Sequence, residues 1–236
     1  MAIELLNIDC MAYMRTVPDG YFDLAIVDPP YGINAQSMSM GQNLNRADGW
    51  RREESTATKV RKGRLNSGGG KLKDRSLNAL NCDWDSAIPP DEYFQELFRI
   101  SLNQIIWGGN YFPLRPTRCY VCWDKVQPWD NFSQFELAWT SFDRPAAMFK
   151  QSNTGGANLD AKIHPTQKPV RLYSWVLEKF AFEGARIIDT HLGSASSAIA
   201  AHRYGISEFV GCEINAYYHE LAVARFHNET RQLAIF

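Results

Sequence analysis

The 236-residue sequence predicts an α/β fold: one domain, 1–236, built on a mostly parallel, doubly wound sheet with one basic loop insertion. Three observations predict it. Short continuous runs rich in Ile, Val, Leu and Trp alternate with amphipathic stretches, as strands do when helices cover both sheet faces. The length suits a single core, and 45% hydrophobic with 22% charged residues excludes disordered, collagen-like and coiled-coil classes. Carboxylates stand at the ends of three of the apolar runs (Asp28, Asp189 and Glu213), where ligands sit in such folds.

The elements follow in order. Ile3 to Ile8, Phe22 to Val27, Gln104 to Trp107, Cys119 to Trp123, Glu136 to Thr140, Arg186 to Asp189 and Glu208 to Glu213 read as strands. Asp91 to Asn103, Val170 to Phe182, Ser196 to Tyr204 and Ala216 to Glu229 read as helices. In the second helix Leu172, Val176, Leu177 and Phe180 share one face. Asn215 is placed to cap the last helix and Gly205 to stop the third. Five scattered cysteines read as reduced thiols rather than a disulfide framework. Cys119 and Cys122 lie on a strand, where i and i+3 face opposite sides, so they read as packing rather than metal ligands. No metal site is expected. The first residues, Met1 to Leu6, lack the basic start of a secretory signal, and no 18 apolar residues run together to span a membrane. The expected location is cytoplasmic, with the nucleoid.

The formal charge of −1 hides a basic segment. Residues 46–75 hold ten Lys or Arg against four Asp or Glu, leaving the rest of the chain at −7. Arg46, Arg51, Arg52, Lys59, Arg61, Lys62, Arg64, Lys71 and Lys73 sit among Gly, Ser, Asn and Thr, with Trp50 as the only aromatic. Alone, such a stretch is expected to be a mobile loop, because it has too little apolar surface to order itself. Its charge also suits phosphate contacts with double-stranded DNA, which would be salt-sensitive.

Two stretches carry chemistry. Asp189-Thr190-His191-Leu192-Gly193-Ser194-Ala195-Ser196 joins a strand to a helix through small residues, so a ligand can approach the backbone closely. Glu213, at the next strand end, is placed to accept hydrogen bonds from ribose hydroxyls. By itself this pair also fits structural capping. The second stretch is Asp28-Pro29-Pro30-Tyr31 after an apolar strand. Two prolines alone would make a rigid turn. With an acid before and an aromatic after, the Asp28 carboxylate and Pro29 carbonyl become convergent acceptors beside a stacking face. Such a set fits the exocyclic amine of a planar base: it localises the nitrogen lone pair and stabilises the charge formed on alkylation. A base in a duplex must be flipped out to reach it.

Asp28-Pro29-Pro30-Tyr31 resembles the catalytic signature of the amino-group DNA methyltransferases. The resemblance extends to Asn7-Ile8-Asp9-Cys10, Val17 to Asp23, Trp123-Asp124-Lys125, Phe135 to Trp139 and His164-Pro165-Thr166-Gln167-Lys168-Pro169. With the catalytic motif first and the glycine loop last, the order is that of the permuted β-class. The resemblance implies a Rossmann-like, S-adenosylmethionine (SAM)-dependent fold and a restriction-modification setting in a bacterium or phage. It implies direct transfer to adenine N6, with cytosine N4 and a catalytically impaired DNA-binding homologue as alternatives. Asp at the first motif position leans to adenine, because N4 enzymes more often carry Ser there. By resemblance, Asp28, Pro29 and Pro30 form the catalytic turn and Tyr31 stacks on the flipped base. Asp9 and Cys10 read the adenine ring of SAM and Glu213 its ribose. Asp189, His191, Gly193 and Ser194 form the methionine-side loop, with Thr166 and Lys168 near the carboxylate.

Two departures stand out. Ala195 replaces the family's second loop glycine, which weakens cofactor binding if that position needs positive φ. Only about Lys150 to Ile163 is available for target recognition, so recognition falls on the insertion 34–82. Gln232-Leu233-Ala234-Ile235-Phe236 resembles the peptide by which DNA-maintenance proteins dock on the replication sliding clamp, although these side chains also fit simple packing on the domain. The sequence leaves the recognition site, a restriction partner and a homodimer open.

Overall fold

The computed structural model describes residues 2–33, 39–40, 63–64, 85–126, 133–152 and 162–231. The strands are β1 (Ala2–Leu6), β2 (Phe22–Val27), β3 (Ser39–Met40), β4 (Gly63–Arg64), β5 (Ser101–Trp107), β6 (Tyr120–Asp124), β7 (Phe135–Thr140), β8 (Ala147–Lys150), β9 (Arg186–Asp189) and β10 (Glu208–Cys212). The helices are α1 (Cys10–Met14), α2 (Asp91–Ile100), α3 (Val170–Phe180), α4 (Ser196–Tyr204) and α5 (Ala216–Thr230). Eight strands form one sheet in the order β1-β10-β9-β2-β5-β7-β6-β8. All neighbours pair in parallel except β7, which runs against both β5 and β6.

The apolar runs are continuous because the central strands are buried on both faces. In β2, Leu24 and Ile26 pack with Trp107, Val121, Leu172, Val176 and Ile199, on the side of α3 and α4. Ala25 and Val27 face Met14, Tyr93, Phe94 and Leu97, on the side of α1 and α2. Each such Leu, Ile or Val contributes about 1.5–3 kcal/mol by leaving water. Trp107, Trp123 and Trp139 are core residues.

From β9 the chain proceeds through α4 to β10 on one side; from β2 it proceeds through α2 to β5 on the other. The sheet therefore has its switch point between β9 and β2, and a crevice opens at their carboxyl ends.

Asn215 caps α5 by accepting from the Tyr217 and Tyr218 amides, and Gly205 ends α4 at φ 82°. The helix expected to reach Asn103 stops at Ile100. Ser101 is already extended, and its hydroxyl donates to the Leu97 carbonyl, so the strand starts without a loop. Likewise α3 ends at Phe180, not Phe182. Outside the insertion, one helix and one strand escaped the sequence pattern. One is α1, a five-residue helix held by the Asp9 cap; the other is β8, a short edge strand on which Met148 faces solvent. Inside the insertion expected to lack order, Ser39–Met40 and Gly63–Arg64 form an antiparallel ladder through backbone bonds that need no apolar side chains. Apart from the backbone of Arg64, the expected DNA-contacting residues lie outside the described residues, as do Trp50 and the tail 232–236.

Candidate active site

Four neighbouring strand ends build one cleft of about 510 Å³. In sheet order they bring Asp9 and Cys10 after β1, Glu213 after β10, His191 to Ser194 after β9, and Asp28 with Pro30 after β2. Three inter-strand steps of ~4.8 Å spread these groups over about 14 Å. The segment leading into α3 closes the cleft with His164, Thr166, Gln167 and Lys168.

At one end Asp9 accepts from the Ala12 amide and fixes the start of α1. Glu213 is held by two backbone amides, Gly193 at 3.0 Å and Asn215 at 2.9 Å. Burial nevertheless raises its carboxyl against those two bonds. Burial also pushes the Cys10 thiol up to about 12, with Asp9 adding to the effect, so it is a neutral thiol. His164 and His191 are held down to about 4 by burial and line the cleft as neutral imidazoles.

The β9 loop turns through Gly193 at φ 52° and Ala195 at φ 59°. The alanine therefore occupies the left-handed conformation that the family's glycine would adopt freely. Arg225 of α5 braces the turn, its Nη1 donating to the Ser194 carbonyl and the Ser196 hydroxyl, both at 2.8 Å. Asp189 departs from expectation. It is buried beneath the loop rather than lining the cleft, accepting from the His191 amide at 3.0 Å and the Ser197 hydroxyl at 2.5 Å. Burial lifts its carboxyl to about 7 against these bonds.

At the other end Asp28 receives the Tyr31 hydroxyl at 2.6 Å and Lys168 Nζ at 2.5 Å. Lys168 was expected beside a cofactor carboxylate; it lines the cleft, but its ammonium is engaged by Asp28 and by Glu136, 3.1 Å away. Burial raises Asp28, Lys168 opposes that, and Glu136 adds to it. The turn after Pro30 is pinned by Asp85, which accepts from the Tyr31 and Gly32 amides at 2.7 and 2.9 Å. Tyr31 lies across Gly108 and stacks on Tyr111 with centroids 5.0 Å apart. A Cβ on Gly108 would lie 2.2 Å from the Tyr31 ring, so only glycine fits there. The stacking face expected to meet a base is thus covered by Tyr111 in this structure.

The Asp28 carboxylate at the end of β2 and the cleft after β9 share one rim. The DNA methylase family (N6_N4_Mtase) matches residues 129–224. Type II methyltransferase M2.MboI of Moraxella bovis is 23% identical, over 94% of this chain and 86% of its own.

These matches make the chain similar to the N6/N4 amino-group DNA methyltransferases.

Two solved structures share the fold. A putative DNA modification methylase of Thermus thermophilus, complexed with S-adenosyl-L-methionine, superposes with a TM-score of 0.51 at 16% identity, covering 98% of this chain and 97% of that one. PvuII DNA methyltransferase, described as cytosine-N4-specific, superposes with a TM-score of 0.56 at 10% identity, covering 100% and 89%.

Several residues of the cleft and its rim had no sequence role assigned: Asp85, Tyr111, Glu136, His164 and Arg225. His164 stood inside a quoted motif, and Gly108-Gly109 directly after an apolar strand was a readable signal for close packing. Glu136 likewise lay inside the Phe135 to Trp139 stretch that carries the resemblance, whereas Asp85 and Arg225 carried no signal, because each reaches the site from a distant element. Among the described residues no group of three or more His, Cys, Asp or Glu is placed to hold a metal. No described helix is long and apolar enough to cross a membrane.

Proposed function

We propose that this methyltransferase uses SAM to methylate N6 of an adenine flipped out of double-stranded DNA, by direct transfer. The observation that carries the reading is the Asp28 carboxylate, fixed by Tyr31 and Lys168 on the rim of the cleft that Glu213 and the β9 loop share. The donor set suits the cofactor: a carboxylate for vicinal hydroxyls, small loop residues for close approach, and a narrow cleft in the size range of small-molecule sites. The family match and the SAM-bound fold relative support it as well.

SAM, when bound, supplies an electrophilic methyl group on a sulfonium. The chain's residues do the rest. Glu213 would accept from the ribose hydroxyls, and Asp9 and Cys10 would hold the adenine ring. Thr166, His191, Gly193 and Ser194 would hold the methionine side, and Asp189 supports the loop from below. Asp28 and the Pro29 carbonyl accept from the target amine, favouring a pyramidal nitrogen and stabilising the charge it gains. Pro30 keeps the turn stiff and Tyr31 stacks on the base once Tyr111 gives way. The basic insertion 34–82 contacts DNA phosphates. Asp at position 28 favours adenine over cytosine.

Nucleoside mass spectrometry of DNA incubated with the protein and SAM tests this reading. N6-methyladenine is expected. N4-methylcytosine alone would overturn the base assignment, and no methylated base would overturn the activity.

A further inference from the structure

Among the described strands of the sheet, β7 alone runs against its neighbours, so its first residues, not its last, reach the rim where β5 and β6 end. Glu136, paired with Trp123 in β6, is carried there. Its carboxylate forms an ion pair with Lys125 and lies 3.1 Å from Lys168 Nζ, close enough for charge attraction but without the alignment of a hydrogen bond. Lys168, 3% exposed, therefore stands between two carboxylates, Asp28 at 2.5 Å and Glu136. The Trp107 and Tyr31 rings flank its ammonium at 5.3 and 5.7 Å and keep water away from it.

We propose that Glu136 is a positioning residue of the catalytic centre, acting through Lys168 to keep Asp28 available as an acceptor. The proposal rests on the reading of Asp28 as the acceptor of the target amine. An ammonium paired with Asp28 alone competes with that amine for the same oxygens. An ammonium shared with a second carboxylate holds Asp28 in place but leaves it accepting capacity. Lys125 in turn satisfies Glu136, so two anions and two cations balance in a buried site where an unmatched charge would be costly.

The charges facing Asp28 are Lys168 from the segment before α3, Glu136 from β7, Asp189 from β9, and the Tyr31 and Tyr173 hydroxyls. Those facing Glu136 are Lys168, Lys125 and Lys162, together with Asp28 and the Tyr31 and Tyr173 hydroxyls. Burial would raise Glu136, but Lys168 and Lys125 outweigh it and hold the carboxyl at about 2, so Glu136 is a permanent anion. Its removal must therefore ease ionisation of Asp28.

The test is Glu136→Gln, read in two ways. Carbon NMR of the Asp28 carboxyl, assigned with Asp28→Asn, is expected to show its titration midpoint falling by about one pH unit. Single-turnover methyl transfer is expected to slow about tenfold, as loss of a support to a reactive group does, with the SAM KM nearly unchanged and the acid limb moved the same way. Glu136→Asp should restore much of both. An unmoved midpoint, or slower transfer with an unmoved acid limb, would reduce Glu136 to a structural role. The NMR arm needs no turnover, so a wild-type chain that transferred no methyl group would overturn the functional reading and leave this test standing. If Glu136→Gln does not fold, Lys125→Gln decides with the opposite sign: the Asp28 midpoint should rise, and a fixed or falling midpoint would refute the proposal.

Discussion

Replacing Ala195 by glycine separates a working cofactor loop from a damaged one. Ala195 is fully buried at φ 59° and ψ 22°, immediately before α4. A residue with a Cβ pays about 1–2 kcal/mol in that left-handed region. Glycine would recover this, but it adds about 0.4–1 kcal/mol of unfolded-chain entropy and gives up a buried methyl worth about 0.8 kcal/mol. The terms nearly cancel, so Ala195→Gly should leave stability within about 1 kcal/mol of wild type in urea unfolding. The backbone conformation itself is already in place, held by the Arg225 bonds and by Ala195 N–H to Leu192 O at 3.0 Å. SAM affinity by calorimetry should therefore change by less than about threefold, under 0.7 kcal/mol. Ala195→Val, β-branched where even alanine is strained, should instead cost more than about 2 kcal/mol. A glycine variant that binds SAM tenfold or more tightly would refute this reasoning and mark the alanine as the lesion of an impaired homologue.

Asp28→Ala should abolish methyl transfer, by at least about a hundredfold in a single-turnover assay, while calorimetry shows SAM still bound. Lys168→Met leaves Asp28 and Glu136 without their shared cation and should cost about 3 kcal/mol, the low end of the range for a broken buried pair because both carboxylates keep some exposure. That loss should be larger at pH 8 than at pH 5, where the carboxyls can protonate, as urea unfolding at the two values will show. Asp189 rises from 3.8 to about 7 on folding, so the folded state binds the extra proton and stability falls as pH climbs from about 4 to 7. Asp189→Asn should flatten that slope and match or exceed wild-type stability at pH 7.5; a slope unchanged from wild type would show that Asp189 does not carry it. Replacing Arg51, Arg52, Arg61 and Lys62 by Gln should weaken DNA binding and lower its log-salt slope by about 3–4. Equal affinity and slope would remove the insertion from the DNA interface.

The parts of the fold that were legible from sequence are those with one dominant cause. β2 and β9 match their expected bounds because burial on both faces writes an unbroken apolar run. α4 matches because a small-residue turn precedes it and Gly205 stops it. That the Asp28 turn and the β9 loop belong to one cleft was legible because each is contiguous in the chain and sits where a strand stops. What stayed hidden depends on register between distant segments. Nothing in the neighbourhood of Glu136 announces that β7 is reversed, and the placement of Lys168 on Asp28 spans 140 positions. Helix α2 was read too long because Ser101 to Asn103 continue a plausible amphipathic pattern, while the side-chain bond from Ser101 back to Leu97 is a tertiary choice.

The topology accounts for why the two chemical halves can stand at opposite ends of the chain. β2 and β9 are joined by register, Leu24 opposite Ile187 and Ala25 opposite Ile188, not by a connection. From this seam the chain leaves in opposite directions, so among the described residues no direct connection between β2 and β9 crosses their carboxyl ends. The acceptor after β2 and the cofactor-sized cleft after β9 consequently face one another across a single strand spacing of ~4.8 Å. Transfer between two ligands needs their reacting atoms held within about 3–3.5 Å in a fixed orientation. Adjacent parallel strands fix the separation of the two loops by backbone hydrogen bonds, whatever the order in which the chain visits them. The reversed β7 then adds what parallel strands cannot, a side chain from the start of a strand at the same rim. In this chain that side chain is Glu136, and the ion pair it shares with Lys168 ties the far half of the sheet to Asp28.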